Sequence, residues 1–284
     1  MAVFTNQATL RYNDTTVNSN IAVGEILEVL SITKTAVRDV YGPDQDVTYV
    51  ITLINSGTVP FIGLTLADDL GGYSAGGGTV YPLTYEAGSI RYYINGTLQP
   101  APAVTAGPPL NITGITVPAG GNATIIYEAS INAYAPLAVD STIVNIVTAS
   151  GGGLSAPVTA TESISVQNGP QLGICKSLSP SSVTENGSIT YTFLIQNTGN
   201  TEAVATDDVI MTDTFNPVLS TLSVSFNGMM LTEGTDYTYD ETTGAFATLP
   251  GTITVPAATY TQDVTTGQWQ VTPGTAVLTV TGTI

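Results

Sequence analysis

Histidine is absent from the 284-residue chain, cysteine and tryptophan occur once each, and five lysines and arginines stand against 22 acidic residues. Without histidine, a serine or cysteine nucleophile activated by an imidazole is excluded. Neither a phosphate-binding loop nor a dinucleotide fingerprint occurs. A single cysteine, Cys175, excludes an intrachain disulfide framework. Following the apolar LGI, it is expected to be a buried, inert thiol. The formal charge of −17 opposes binding to nucleic acid or to an anionic membrane surface. No apolar run is long enough to insert in a bilayer, and the opening MAVFTNQ lacks the basic and apolar regions of a secretory signal, so the export route is left open. Asp44 with Asp46, Asp68 with Asp69 and Asp207 with Asp208 read as acidic turns, since none supplies an EF-hand-like loop. No cofactor and no metal are expected.

What is abundant is Thr, Val and Ile in alternating stretches, punctuated by 29 glycines and 16 prolines. That pattern, without a long helical period, predicts an all-β protein. NG at Asn95 and Asn227 marks hairpin turns.

The chain matches itself. VTYVITLINSG from Val47 recurs as ITYTFLIQNTG from Ile189. LTLADDL (64–70) recurs as VIMTDTF (209–215), which places Asp68 over Asp213. ITVPA occurs at Ile115 and again at Ile253, and Lys34 falls on Lys176. The terminal TNQATLRY resembles VNIVTAS at 144–150, which places Asn6 over Asn145; with a small insertion Glu25 corresponds to Glu162. In the first copy the ATIIYEASI strand is followed by this closing strand. In the second copy AVLTVTGTI is followed by nothing.

The reading is therefore two tandem immunoglobulin-like β-sandwiches, the second without its own final strand, preceded by an N-terminal donor strand. The segments are 1–20 for the donor strand and connector, 21–168 for the first domain and 169–284 for the second, an acceptor. A sandwich short of one strand exposes unpaired backbone groups and an apolar groove, which an extended segment of another chain can fill. Val3, Asn6, Ala8, Leu10 and Tyr12 would face inward, or the opposite alternation through Phe4. Donor and acceptor at opposite ends make a heterologous contact, and such contacts propagate into a homopolymer. The alternative is a chain that folds back and closes its own second domain.

Lys34 and Lys176 are the only lysines, at one position of the repeat, in apolar alternating strands. A lysine inside a sandwich loses its charge to desolvation and becomes nucleophilic. With its T-Y-x-I/F…N-x-G segments, its V-x-x-x-D segments and its closing N-x-x-T/A strand, the chain resembles the conserved-repeat domains of bacterial surface proteins (domain of unknown function eleven), relatives of pilin and collagen-adhesin modules. The resemblance implies an isopeptide bond between a first-strand lysine and a last-strand asparagine, assisted by a buried acid. Carried over, Lys34 would join Asn145 with help from Asp68. Lys176 would join Asn6 of a neighbouring subunit with help from Asp213. Glu25 and Glu162 are alternative acids, and a plain buried Lys–Asp ion pair is the simpler account.

The expected function is a non-enzymatic subunit of a bacterial surface or spore-surface fibre, assembled head to tail by donor-strand complementation, apart from autocatalytic bond formation. The alternative is an adhesive stalk recognising a glycan or host protein, to which the tyrosine-rich TYEAGSIRYY (84–93) could contribute.

Overall fold

The computed structural model describes residues 2–284 and is all-β; Met1 of the expected donor segment lies outside the described residues. Among the described residues the only helical element is a 3-10 turn at Ala205–Asp207. Two compact units result. One runs up to Ala135 and includes Thr142–Ser165; the other joins Pro136–Ser141 to Val166–Ile284.

Unit 1 is a sandwich of two six-stranded sheets. The first runs Thr97–Gln99, Arg91–Ile94, Asn122–Ile131, Asp46–Asn55 and Leu30–Ala36, with Leu83–Tyr85 also paired to Asn122–Ile131. The second runs Ala103–Thr105, Leu110–Val117, Phe61–Asp68, Thr142–Gly151, Val158–Val166 and Val40–Tyr41. Alternation in each strand sends one set of side chains inward: Ile51 and Leu53 from one sheet and Leu64, Leu66, Ile112 and Val147 from the other are all fully buried. Each such side chain contributes about 1.5–3 kcal/mol of burial. The short strands are where the structure exceeds the seven expected per copy.

In unit 2 the first sheet returns with the same order. Leu172–Ser179 pairs with Ser188–Asn197, then come Gly274–Thr283, Ser220–Phe226 and Met229–Met230. The second sheet is smaller: Tyr237–Tyr239, Ala245–Thr248 and Thr212–Thr214. Among the described residues no further strand lies beside Thr212–Thr214, whereas in unit 1 the equivalent strand Phe61–Asp68 carries Thr142–Gly151 at that edge.

The N-terminal segment is a long hairpin. Ala2–Asn6 pairs with Ala22–Ile26, and Thr9–Tyr12 pairs with Thr15–Asn18. At its tip Asn13 and Asp14 carry φ of 43° and 60°, the left-handed pair that a tight two-residue hairpin requires. The register shifts by one residue at Gln7–Ala8, where the Ala8 amide donates to Ser19 Oγ and the Gln7 side chain donates to the Ser19 carbonyl. The expected single strand over 2–12 is thus broken, because three residues at 19–21 oppose two at 7–8 and bulge the ladder. The NG turns fall where expected: φ is positive at Asn95 and Gly96 and at Asn227 and Gly228.

Candidate functional site

Five strands of unit 1 converge on one buried cluster. Lys34 lies on the edge strand of the first sheet, Tyr49 and Tyr127 on the two strands beyond it, and Asp68 and Asn145 on adjacent strands of the second sheet. Each points inward by the same alternation that builds the core. Lys34 Nζ donates to Asp68 Oδ2 at 2.5 Å, with both side chains fully buried. The Tyr127 hydroxyl donates to the same Oδ2 at 2.7 Å and accepts from Asn145 Nδ2 at 3.2 Å. Asp68 Oδ1 accepts the Leu70 amide at 3.1 Å. The structure therefore brings Lys34, Asp68 and Asn145 together, with Tyr127 as the link between acid and amide.

Burial pushes the Lys34 amine below its ordinary value of 10.5, while Asp68 first, then Asp69 and Glu162, pull it back up. Burial, followed by the charge and hydrogen bond of Asp68, drives the Tyr127 phenol well above its ordinary range. Tyr127 is therefore a neutral hydroxyl. Its ring stacks on Tyr49 at 5.4 Å, and Lys34 Nζ lies 4.8 Å from the Tyr49 ring centroid, a cation–π distance. Two buried polar atoms, Tyr49 Oη and Asn145 Oδ1, make no hydrogen bond of good geometry among the described residues. Asn145 is nonetheless near enough to oppose the rise that burial imposes on the Tyr49 phenol.

Two acids hold the asparagine strand in place. Asp69 Oδ1 accepts the Ile146 amide at 2.8 Å and the Gly71 amide at 3.0 Å, which occupies the carboxylate with its own turn. Glu162, directly opposite Asn145 in the ladder, accepts the Ala36 amide at 3.0 Å and so ties the second sheet to the open edge of the lysine strand.

Unit 2 repeats half of this. Lys176 pairs with Asp213, and its Nζ lies 4.7 Å from the Tyr191 ring centroid. Its side chain is 41% exposed where that of Lys34 is fully buried. On the same face of that strand Leu172, Ile174 and Leu178 are exposed, while Leu30, their first counterpart in unit 1, is buried. A groove beside the strand is lined by Leu172, Ile174, Ile195, Val209, Met211 and Ile253. The third residue assigned to this site, Asn6, sits in the terminal hairpin opposite Ala22, and Glu25 sits opposite Val3. Asn145 and Glu162 face each other directly, so the double correspondence of Asn6 with Asn145 and Glu25 with Glu162 does not survive in the hairpin's register.

Cys175 is exposed, contrary to the expected buried thiol. Alternation next to inward-facing Lys176 puts it on the outer face, as it puts its counterpart Thr33. Sequence reasoning missed Tyr49 and Tyr127. The available signal was that tyrosine recurs at 49 and 191, whereas Tyr127 has no tyrosine partner in the second copy.

No family model and no curated protein matches the chain. Solved structures of low similarity include pilins of Gram-positive bacteria. BcpA, the major pilin subunit of Bacillus cereus, is 15% identical over 96% of this chain and 73% of its own, with a TM-score of 0.34. The pilus backbone RrgB of Streptococcus pneumoniae is 12% identical over 86% and 55%, with a TM-score of 0.35. A family 123 glycoside hydrolase from Clostridium perfringens is 11% identical over 49% of this chain, which spans only 27% of the hydrolase, with a TM-score of 0.32. At these scores the functional reading rests on the chain's own geometry.

Proposed function

We propose that the chain is a structural subunit of a surface fibre, in which the terminal hairpin of one copy completes unit 2 of the next and lysine–asparagine bonds lock the product. The observation that carries this reading is the contrast between the two lysine strands. Thr142–Gly151 and Val158–Val166 cover the Lys34 face in unit 1, and the equivalent face around Lys176 is open. The hairpin at 2–26 has the complementary problem. Val3, Phe4, Leu10, Tyr12, Val17 and Val23 are all exposed on it, and a two-stranded hairpin is marginal in water unless it packs on something.

The internal hairpin serves as a template for the register. Ile143, Asn145, Val147 and Ala149 point inward there. Matching Asn6 to Asn145 then turns Phe4, Asn6, Ala8, Leu10 and Tyr12 toward the acceptor core and Val3 outward. The donor is a pair of strands rather than one, since the connecting strand is already zipped to it.

In each lock the neutral amine attacks Asn Cγ. The Nζ–Cγ bond forms, the Cγ–Nδ2 bond breaks and ammonia leaves, with the aspartate accepting the lysine's proton and returning it to the departing nitrogen. The test compares the full chain with one lacking residues 2–26 by electron microscopy and by electrophoresis after boiling. Fibres and a ladder of covalent multimers are expected from the first and soluble monomers from the second. Fibres of normal length from the truncated chain would falsify hairpin donation.

A further inference from the structure

The Lys34 site contains more chemistry than an amine, an acid and an amide. The leaving atom of the reaction is Asn145 Nδ2, and the group hydrogen-bonded to it is the Tyr127 hydroxyl at 3.2 Å. The same hydroxyl is 2.7 Å from Asp68 Oδ2, the oxygen that also holds Lys34 Nζ. A proton on Oδ2 therefore has a one-step path to the leaving nitrogen. Asn145 Oδ1 and Tyr49 Oη, an acceptor and a donor, are each buried without hydrogen bonds of good geometry among the described residues, and the Asn145 amide is near enough to the Tyr49 phenol to act on it. Donors of this kind are often poorly aligned before reaction and tighten as charge develops.

We propose that the two stacked tyrosines divide the Asn145 amide between them: Tyr127 is a catalytic proton relay to the leaving nitrogen, and Tyr49 stabilises the oxyanion on Oδ1. The inference rests on the amide bond proposed above. In the balanced sequence Lys34 Nζ first gives a proton to Asp68 Oδ2 and then attacks Cγ, opening the C=O so that Oδ1 becomes an anion facing the Tyr49 hydroxyl. The attacking nitrogen, now positively charged, carries a surplus proton. Oδ2 passes its proton to Tyr127 Oη while Tyr127 passes its own to Nδ2, and Oδ2 is reloaded from Nζ. Nδ2, with three protons, leaves as ammonia when the C=O re-forms. Within the relay itself only the phenolic hydrogen has to rotate, since Oδ2 and Nδ2 both already lie at hydrogen-bond distance from Tyr127 Oη.

The ladder shows why unit 2 cannot do the same alone. In unit 1 Tyr49 pairs directly with Tyr127; in unit 2 Tyr191 pairs directly with Val280. The oxyanion tyrosine is retained and the relay is replaced by a buried valine. The two sites are thus chemically unequal.

The experiment follows the full chain made by cell-free synthesis, sampling the Lys34–Asn145 cross-linked peptide over time by mass spectrometry. Tyr127→Phe, which keeps the ring stack, is expected to slow bond formation about 100-fold, and Tyr49→Phe about tenfold or more. The wild-type rate should fall in D2O by a larger factor than the Tyr127→Phe rate, a readout that a packing role would not move. Equal rates and equal isotope effects in wild type and Tyr127→Phe would overturn the relay while leaving the bond intact. Absence of the cross-linked peptide from the wild-type chain would instead overturn the bond itself. If Tyr127→Phe does not fold, the wild-type isotope effect decides: no slowing in D2O sinks the relay.

Discussion

Lys34 and Lys176 stand at the same step of a duplicated sandwich, each paired to its own aspartate, yet one is sealed in the core and the other meets solvent. The difference lies in which strands cover the site. Around Lys34 the covering strands belong to the same unit; around Lys176 the edge they would occupy is open among the described residues.

Assembly should depend on the face of the donor. Phe4→Asp and Leu10→Asp place a charge toward the acceptor core in the register read from the internal hairpin, and each is expected to abolish polymerisation. Val3→Asp points outward and should leave it unchanged. Light scattering of the three variants checks this; equal loss in all three would mean that the register is wrong.

The covalent ladder should respond to the two lysines separately. Lys176→Ala is expected to turn boiling-resistant multimers into monomers, and Lys34→Ala should leave the multimers but remove the cross-link within unit 1. In mature fibres the Lys34–Asn145 peptide should outnumber the Lys176–Asn6 peptide, because Val280 stands in the place of Tyr127. Quantitative peptide mass spectrometry reads both.

Exposure should decide the cost of core changes. Ile51→Ala, at a fully buried position, is expected to cost about 2–5 kcal/mol. Ile174→Ala, 53% exposed, should cost the monomer no more than about 0.5 kcal/mol while weakening assembly. Urea titration of assembly-deficient protein gives the two values.

The buried amine makes stability depend on pH in a defined direction. Burial holds the folded Lys34 amine below its unfolded value of 10.5, so across that window the unfolded chain binds more protons and stability rises with pH. In an Asn145→Ala background, which forms no bond, Lys34→Met leaves Asp68 buried without its partner and is expected to lower the melting temperature, by less at neutral pH than near pH 9.5, where the parent no longer has to bury a charged amine. Staying below 10 avoids the raised phenols Tyr49 and Tyr127, which act in the opposite sense once they ionise in the unfolded chain. A melting-temperature difference that stays constant across the window would contradict the depressed amine.

The repeat is legible because a duplicated lysine and a duplicated aspartate in so lysine-poor a chain stand out against strand residues that interchange freely. Lys34 and Asp68 emerge that way. Tyr127 does not, because comparing copies selects what they share, and this residue matters where they differ. The zipped donor is illegible for another reason. Whether Ala22–Ile26 pairs with Ala2–Asn6 or runs on as a connector is decided by ladder pairing across the hairpin, and that pairing sets Asn6 opposite Ala22, three residues away from Glu25. Cys175 is misplaced when a thiol after apolar LGI is assigned to the core without carrying the strand's alternation from Lys176 to its neighbour.

Lys34 lies on the first strand of its sandwich and Asn145 on the strand before the last, which Val158–Val166 follows in the same sheet; the expected closing strand is therefore not the final one. Joined, they would give tension on the polymer a route from one strand to the other through a single side-chain linkage and leave the ladders between them unloaded. Such a filament would stretch little before its covalent spine broke, and its mechanical strength would be set by the slower of its two locks.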